Sequence, residues 1–215
     1  MPTVATLLIA LAGPPIFGIF AQRMLGKSPG VAAQIIADLG LWAFLVMILY
    51  VVTRVERRPL ASIGLKRPTW STIVSGLMLA FVVLFLWPPI AHWLGNVLRL
   101  PSYERGVSQL RGLPVWALLF IALTGGIVEE TLYRGYAIER LASLTGRYWL
   151  AGSIAALAFG LAHVPGWGAY AVVDFVFGIM ATLFYLWKRD LLANIIAHVA
   201  GLAVGLLQLA PVPPR

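Results

Sequence analysis

The sequence predicts an all-α protein, a polytopic integral membrane bundle of about seven to eight transmembrane helices. Three observations carry that reading. Of 215 residues, 60% are hydrophobic and 11% charged, and the mean hydropathy is +0.89, outside the range of a soluble globular domain. Apolar runs of about 20 residues, enough to span a bilayer core as a helix, recur along the whole chain. The runs lack the alternation of a barrel strand, and a helix satisfies its own backbone polar groups in lipid.

Seven segments follow in order: 4–22, 31–53, 72–95, 114–138, 149–164, 169–187 and 190–209. The first lies in MPTVATLLIALAGPPIFGIF, which lacks a basic leading region and reads as a membrane helix rather than a cleavable signal. The second carries Asp38, and the third ends near His92. The fourth begins PVWALLFIALTGG and brings in Glu129 and Glu130; the last three carry His163, Asp174 and His198 respectively. Trp70, Trp93, Trp116, Trp149, Trp167 and Trp187 all fall near segment ends, as an interfacial belt requires. SYERGVSQLRGLP is expected to lie on the membrane surface as an amphipathic piece. No repeat, low-complexity tract or long linker divides the chain, so residues 1–215 read as a single membrane domain.

Charge sets the topology. If the connection 54–71 faces the cytoplasm, that side holds ten basic residues, including Arg134, Arg140, Arg147, Lys188 and Arg189, against six on the other. The N-terminus is then inside and the C-terminal PVPPR outside. The net charge of +8 falls in short connections beside the bilayer, with no basic stripe interleaved with aromatics, so nucleic acid is not an expected partner. The absence of cysteine excludes disulfides, zinc-thiolate sites and cysteine nucleophiles.

An ionisable group at the centre of a membrane helix costs at least about 2.5–3.5 kcal/mol on insertion scales, so such groups are candidates for function. In GGIVEETLYRG, α-helical spacing puts Glu130 and Arg134 one turn apart on one face, where they can pair, and leaves Glu129 facing the interior beside Tyr133. Gly125 and Gly126 allow a neighbouring helix to come close. Phe159 and His163 share a face, so the phenyl ring can pack beneath the imidazole. His198 has Asn194 one turn before it, and Gly201 with Gly205 forms a small-residue stripe for helix contact. Asp38, Asp174 and His92 read as structural or interfacial.

One glutamate and two histidines on three helices admit two chemistries. In the first, Glu129 activates water as a general base while His163 and His198 polarise a carbonyl and stabilise the oxyanion. In the second, Glu129, His163 and His198 bind zinc, leaving a fourth position for water and Glu130 as base. The plainer alternative is that the same residues only pin helices together. A proton relay in a small transporter is a further alternative.

These residues also carry a resemblance. Glu129-Glu130-Thr-Leu-Tyr-Arg134 resembles the EExxxR motif, and Phe159-Gly-Leu-Ala-His163 the FxxxH motif, of the CPBP family of intramembrane endopeptidases: type II CAAX prenyl proteases and bacteriocin-processing, Abi-like or immunity proteins. DFVFGIMATLFYLWKRDLLANIIAHVAGL resembles the family's next helix pair, with His198 as the third-motif histidine. The likeness covers about residues 114–205 and makes 114–209 the core helices and 1–113 the N-terminal helices. It implies hydrolysis of a peptide bond near the C-terminus of a prenylated or membrane-associated peptide, at a site reached from the cytoplasmic side. Glu129 would activate water with His163 and His198 assisting, and a non-catalytic peptide-binding, immunity or scaffold protein is the alternative. Where the family usually has Asn or Asp, four residues after the histidine, this chain has Leu202; Asn194 is the expected substitute donor.

Overall fold

A computed structural model describes residues 2–25, 30–101 and 107–210. Residues 102–106 of the expected surface piece and the terminal PVPPR lie outside the described residues. Among the described residues seven long helices form, matching the seven expected segments: α1 (Pro2–Leu25), α2 (Val31–Val55), α3 (Trp70–Val97), α4 (Val115–Thr145), α5 (Tyr148–Trp167), α6 (Ala171–Lys188) and α7 (Leu191–Leu207). No strand is present among them.

Five helical stretches are long and apolar enough to cross a membrane, and α7 is a shorter apolar helix. One of the five, Tyr148–Lys188, is a hairpin that reverses at Gly168, where φ is +59°. Its two arms meet where side chains are small: a Cβ on Gly152 would touch Thr182 and Leu186, and one on Gly160 would touch Phe175. Large apolar side chains point outward, Leu8, Phe20, Met78 and Leu183 among them, as a lipid-facing surface requires. Trp70, Trp93, Trp116, Trp149 and Trp187 are exposed, so the belt holds for them. Trp167 instead helps to line a cavity.

The fourth segment departs from its expected geometry. Gly125–Ala137 is π-helical rather than α-helical, with bonds from i to i+5 that widen the turn. Shorter π turns end α2 at Val51–Val55 and interrupt α3 at Val82–Leu86. In α3 the widening directly precedes Trp87-Pro88-Pro89, where two missing N–H donors break the α-helical ladder. No proline marks α4; Gly125 and Gly126 leave room for the wide turn, and α7 fills the space beside it. A Cβ on Gly126 would stand 2.7 Å from the Val199 backbone nitrogen. Gly201 faces Val83 of α3, and Gly205 has nothing within 4 Å, so the expected small-residue stripe is used at one of its two positions.

One end of the bundle is closed by buried polar locks. Arg140 holds Glu56 at 2.7 Å and also donates to the Ser62 carbonyl and hydroxyl, while the Tyr136 hydroxyl donates to the other Glu56 oxygen at 3.0 Å. Glu139 accepts from Tyr185 and Arg189, each at 2.6 Å. Asp190 caps α7 and accepts from Thr72 of α3 at 2.6 Å. These residues sit beside the basic connections that the charge count places in the cytoplasm.

Candidate active site

The two adjacent glutamates occupy different environments. Glu130 is fully buried and is held by three neighbours: Arg134 Nη1 at 3.0 Å, His198 Nδ1 at 2.9 Å and Asn194 Nδ2 at 3.3 Å. Arg134, also fully buried, donates in addition to the Gly178 carbonyl and lies 4.1 Å above the Phe159 ring. Two buried charges are tolerable only when each is paired and hydrogen-bonded, and this arrangement supplies both. The expected Glu130–Arg134 pair is therefore present. The glutamate that meets His198 is Glu130, and not Glu129 as the sequence reading expected.

Glu129 is half-buried and has no hydrogen-bond or ion-pair partner among the described residues. It lines a cavity of about 360 Å³ with His163, Asp38 and Tyr133. The walls come from α1, α2, α4 and α5, and Pro14 and Pro15 of α1 are part of them. Tyr133 is 1% exposed, and its hydroxyl finds no partner. Asp174 is within electrostatic reach of Glu129, His163 and His198, and Asp38 within reach of Glu129. The sequence reading took Asp38 and Asp174 as structural; their only prior signal was a carboxylate inside an apolar run. His92 is exposed and bonds Asn96, away from this group.

Both histidines have one nitrogen committed. His163 Nδ1 lies 2.8 Å from the Phe159 carbonyl, which can only accept, so Nδ1 carries the hydrogen and Nε2 is left to the cavity side chemistry. His198 Nδ1 likewise donates to Glu130. Phe159 touches both imidazoles, with ring centroids 4.5 Å from His163 and 6.4 Å from His198, and so packs against His163 as expected. Asn194 uses its amide hydrogens on Glu130 and on the Ala181 carbonyl at 2.9 Å. Those donors are not free for a developing oxyanion. Leu202 packs on Gly125, one turn before Glu129, and puts methyl groups where the resemblance expects an amide or carboxylate.

Zinc fits poorly here. Among the described residues no three histidines or carboxylates converge as a ligand set: Glu129 and His163 share the cavity, while His198 is turned to Glu130. Gln22, Gln34, Gln109 and Trp167 also line the cavity, and Gln34 and Trp167 lie at the ends of α2 and α5 away from the polar locks. If the basic connections are cytoplasmic, Gln34 and Trp167 lie toward the opposite side of the membrane.

Fold and site together define a polytopic helical membrane protein with a buried glutamate–arginine–histidine cluster beside a mostly apolar cavity that Asp38, Glu129 and His163 line. Residues 111–203 match the family model described as type II CAAX prenyl endopeptidase Rce1-like, the same part of the chain that carries the three motifs. No curated protein and no solved structure matches the chain.

Proposed function

We propose that the protein is an intramembrane endopeptidase that hydrolyses a peptide bond near the C-terminus of a prenylated, CAAX-type or otherwise membrane-associated peptide. What supports this reading most is the division between the two glutamates. Glu130 is fixed in a closed network, whereas Glu129 is unpaired at a cavity wall beside His163. A water in that cavity would lose a proton to the Glu129 carboxylate as its oxygen attacks the scissile carbonyl carbon. The oxyanion would take a hydrogen bond from the unpartnered Tyr133 hydroxyl or from protonated His163 Nε2. Glu129 would then pass the proton to the leaving amine as the C–N bond breaks, giving a carboxylic acid and an amine. Glu130, Arg134, Asn194, His198 and Phe159 would hold α4, α5, α6 and α7 in register around this group.

Apolar walls and a lipid-facing exterior suit a substrate already held in the bilayer. It would reach Glu129 within the cavity that Gln22 and Gln34 also line. One observation favours a second reading, a non-catalytic peptide-binding protein of the same family: Leu202 lies where the family pattern has a polar residue. The readings separate on a panel of quenched peptides, one of them a farnesylated CAAX peptide, presented to matched detergent preparations of wild type and Glu129→Gln. Cleavage by wild type and not by the variant supports the peptidase; peptide binding without cleavage by either supports the binding protein.

A further inference from the structure

The cavity has a chemical bias that the hydrolysis above does not use. Its titratable wall residues are Asp38 from α2, Glu129 and Tyr133 from α4 and His163 from α5, two carboxyl groups against one imidazole, with no lysine or arginine among the described lining residues. Asp38 is 5% exposed. Its Oδ1 accepts from Gln34 Nε2 at 3.2 Å, and its Oδ2 has no partner among the described residues. A buried carboxylate oxygen left unpaired is destabilising, so an occupant that brings a donor, and best a cationic one, is favoured there. The Asp174 Oδ2, within electrostatic reach of Glu129 and outside the cavity lining, is also unpartnered among the described residues.

We propose that Asp38 receives a positively charged group of the substrate, the ammonium of a lysine or the guanidinium of an arginine near the bond that is cut. The inference rests on the peptidase reading for the word substrate, and on the cavity alone for the cation. Asp38 and Glu129 belong to one cavity wall but different helices, so a side chain paired with Asp38 would fix the peptide's register while leaving Glu129 its water. Asp38 is then a residue of specificity.

Two measurements test this with otherwise apolar peptides that carry one lysine, or norleucine in its place, at successive positions. In cleavage, wild type should prefer lysine by at least about tenfold in kcat/KM at one position, the scale of a charge-assisted hydrogen bond. Asp38→Asn should lose the preference, giving lysine and norleucine peptides equal kcat/KM, and Asp38→Lys should favour a glutamate at that position. Equal kcat/KM for lysine and norleucine at every position overturns the cation site and leaves the peptidase standing. The second measurement is fluorescence anisotropy with the same peptides and the Glu129→Gln variant, which needs no cleavage. A tenfold affinity for lysine over norleucine that disappears when Asp38→Asn is added upholds the site even if no peptide is cut; equal affinities overturn it.

Discussion

His198 Nδ1 lies 2.9 Å from Glu130 Oε1, so the last helix is tied to the fully buried glutamate of the pair and not to its neighbour in the cavity. The same carboxylate holds Arg134, which makes Glu130 the junction of α4, α6 and α7 through Arg134, Asn194 and His198.

Removing either charge at that junction strands the other. Glu130→Gln and Arg134→Ala are each expected to lower stability by about 3–5 kcal/mol, as for other broken buried pairs. Thermal unfolding in detergent, followed by size-exclusion fluorescence, reads the change. A Tm within a degree or two of wild type for Glu130→Gln would show that the network carries little stability.

Asn194 bridges Glu130 and the Ala181 carbonyl, so its role is to hold the junction. Asn194→Asp places a second carboxylate against Glu130 and is expected to be worse than Asn194→Ala in both Tm and cleavage rate. If Asn194→Ala loses rate about 100-fold or more with an unchanged Tm, the amide acts instead on the reacting group, as an oxyanion donor would.

Tyr133→Phe removes a buried hydroxyl that bonds to nothing among the described residues. Stability should be unchanged or slightly raised, because an unsatisfied polar atom is lost. The cleavage rate should fall by about 100-fold with KM little changed if the hydroxyl meets the oxyanion. An unchanged kcat would assign that role to His163.

Gln22, a cavity residue near the end of α1, and Arg67, in a basic connection, should label from opposite sides of the membrane. The chain has no cysteine, so Gln22→Cys and Arg67→Cys each provide one thiol without background. An impermeant maleimide on intact cells should reach one and not the other, and the one reached fixes the absolute orientation. Labelling of both from the same side would contradict the placement of the cavity.

The helices were legible because lipid imposes one dominant rule, a long apolar run per span, which five stretches satisfy and α7 follows in shorter form. Pairings within one helix were legible as well, since Glu130–Arg134 and Phe159–His163 depend only on spacing along the chain. Partners between helices were not. Which glutamate meets His198 depends on the rotation of α4, and the π-helical stretch from Gly125 to Ala137 resets that rotation with only a glycine pair as a signal. The locks at Arg140–Glu56 and Arg189–Glu139 looked like solvated connection charges, because sequence does not reveal that the connections fold inward. Asp38 was read as structural or interfacial for the same reason: its place in a cavity wall depends on the assembly of four helices.

The most direct test of the account is to measure peptide cleavage and Tm in the same preparations of wild type, Glu129→Gln and Glu130→Gln. Glu129→Gln should keep the wild-type Tm to within a degree or two and lose cleavage by at least about 100-fold, as loss of a general base does, while Glu130→Gln should lose both. Cleavage by Glu129→Gln at the wild-type rate would contradict a Glu129-activated water, whatever the fate of Glu130.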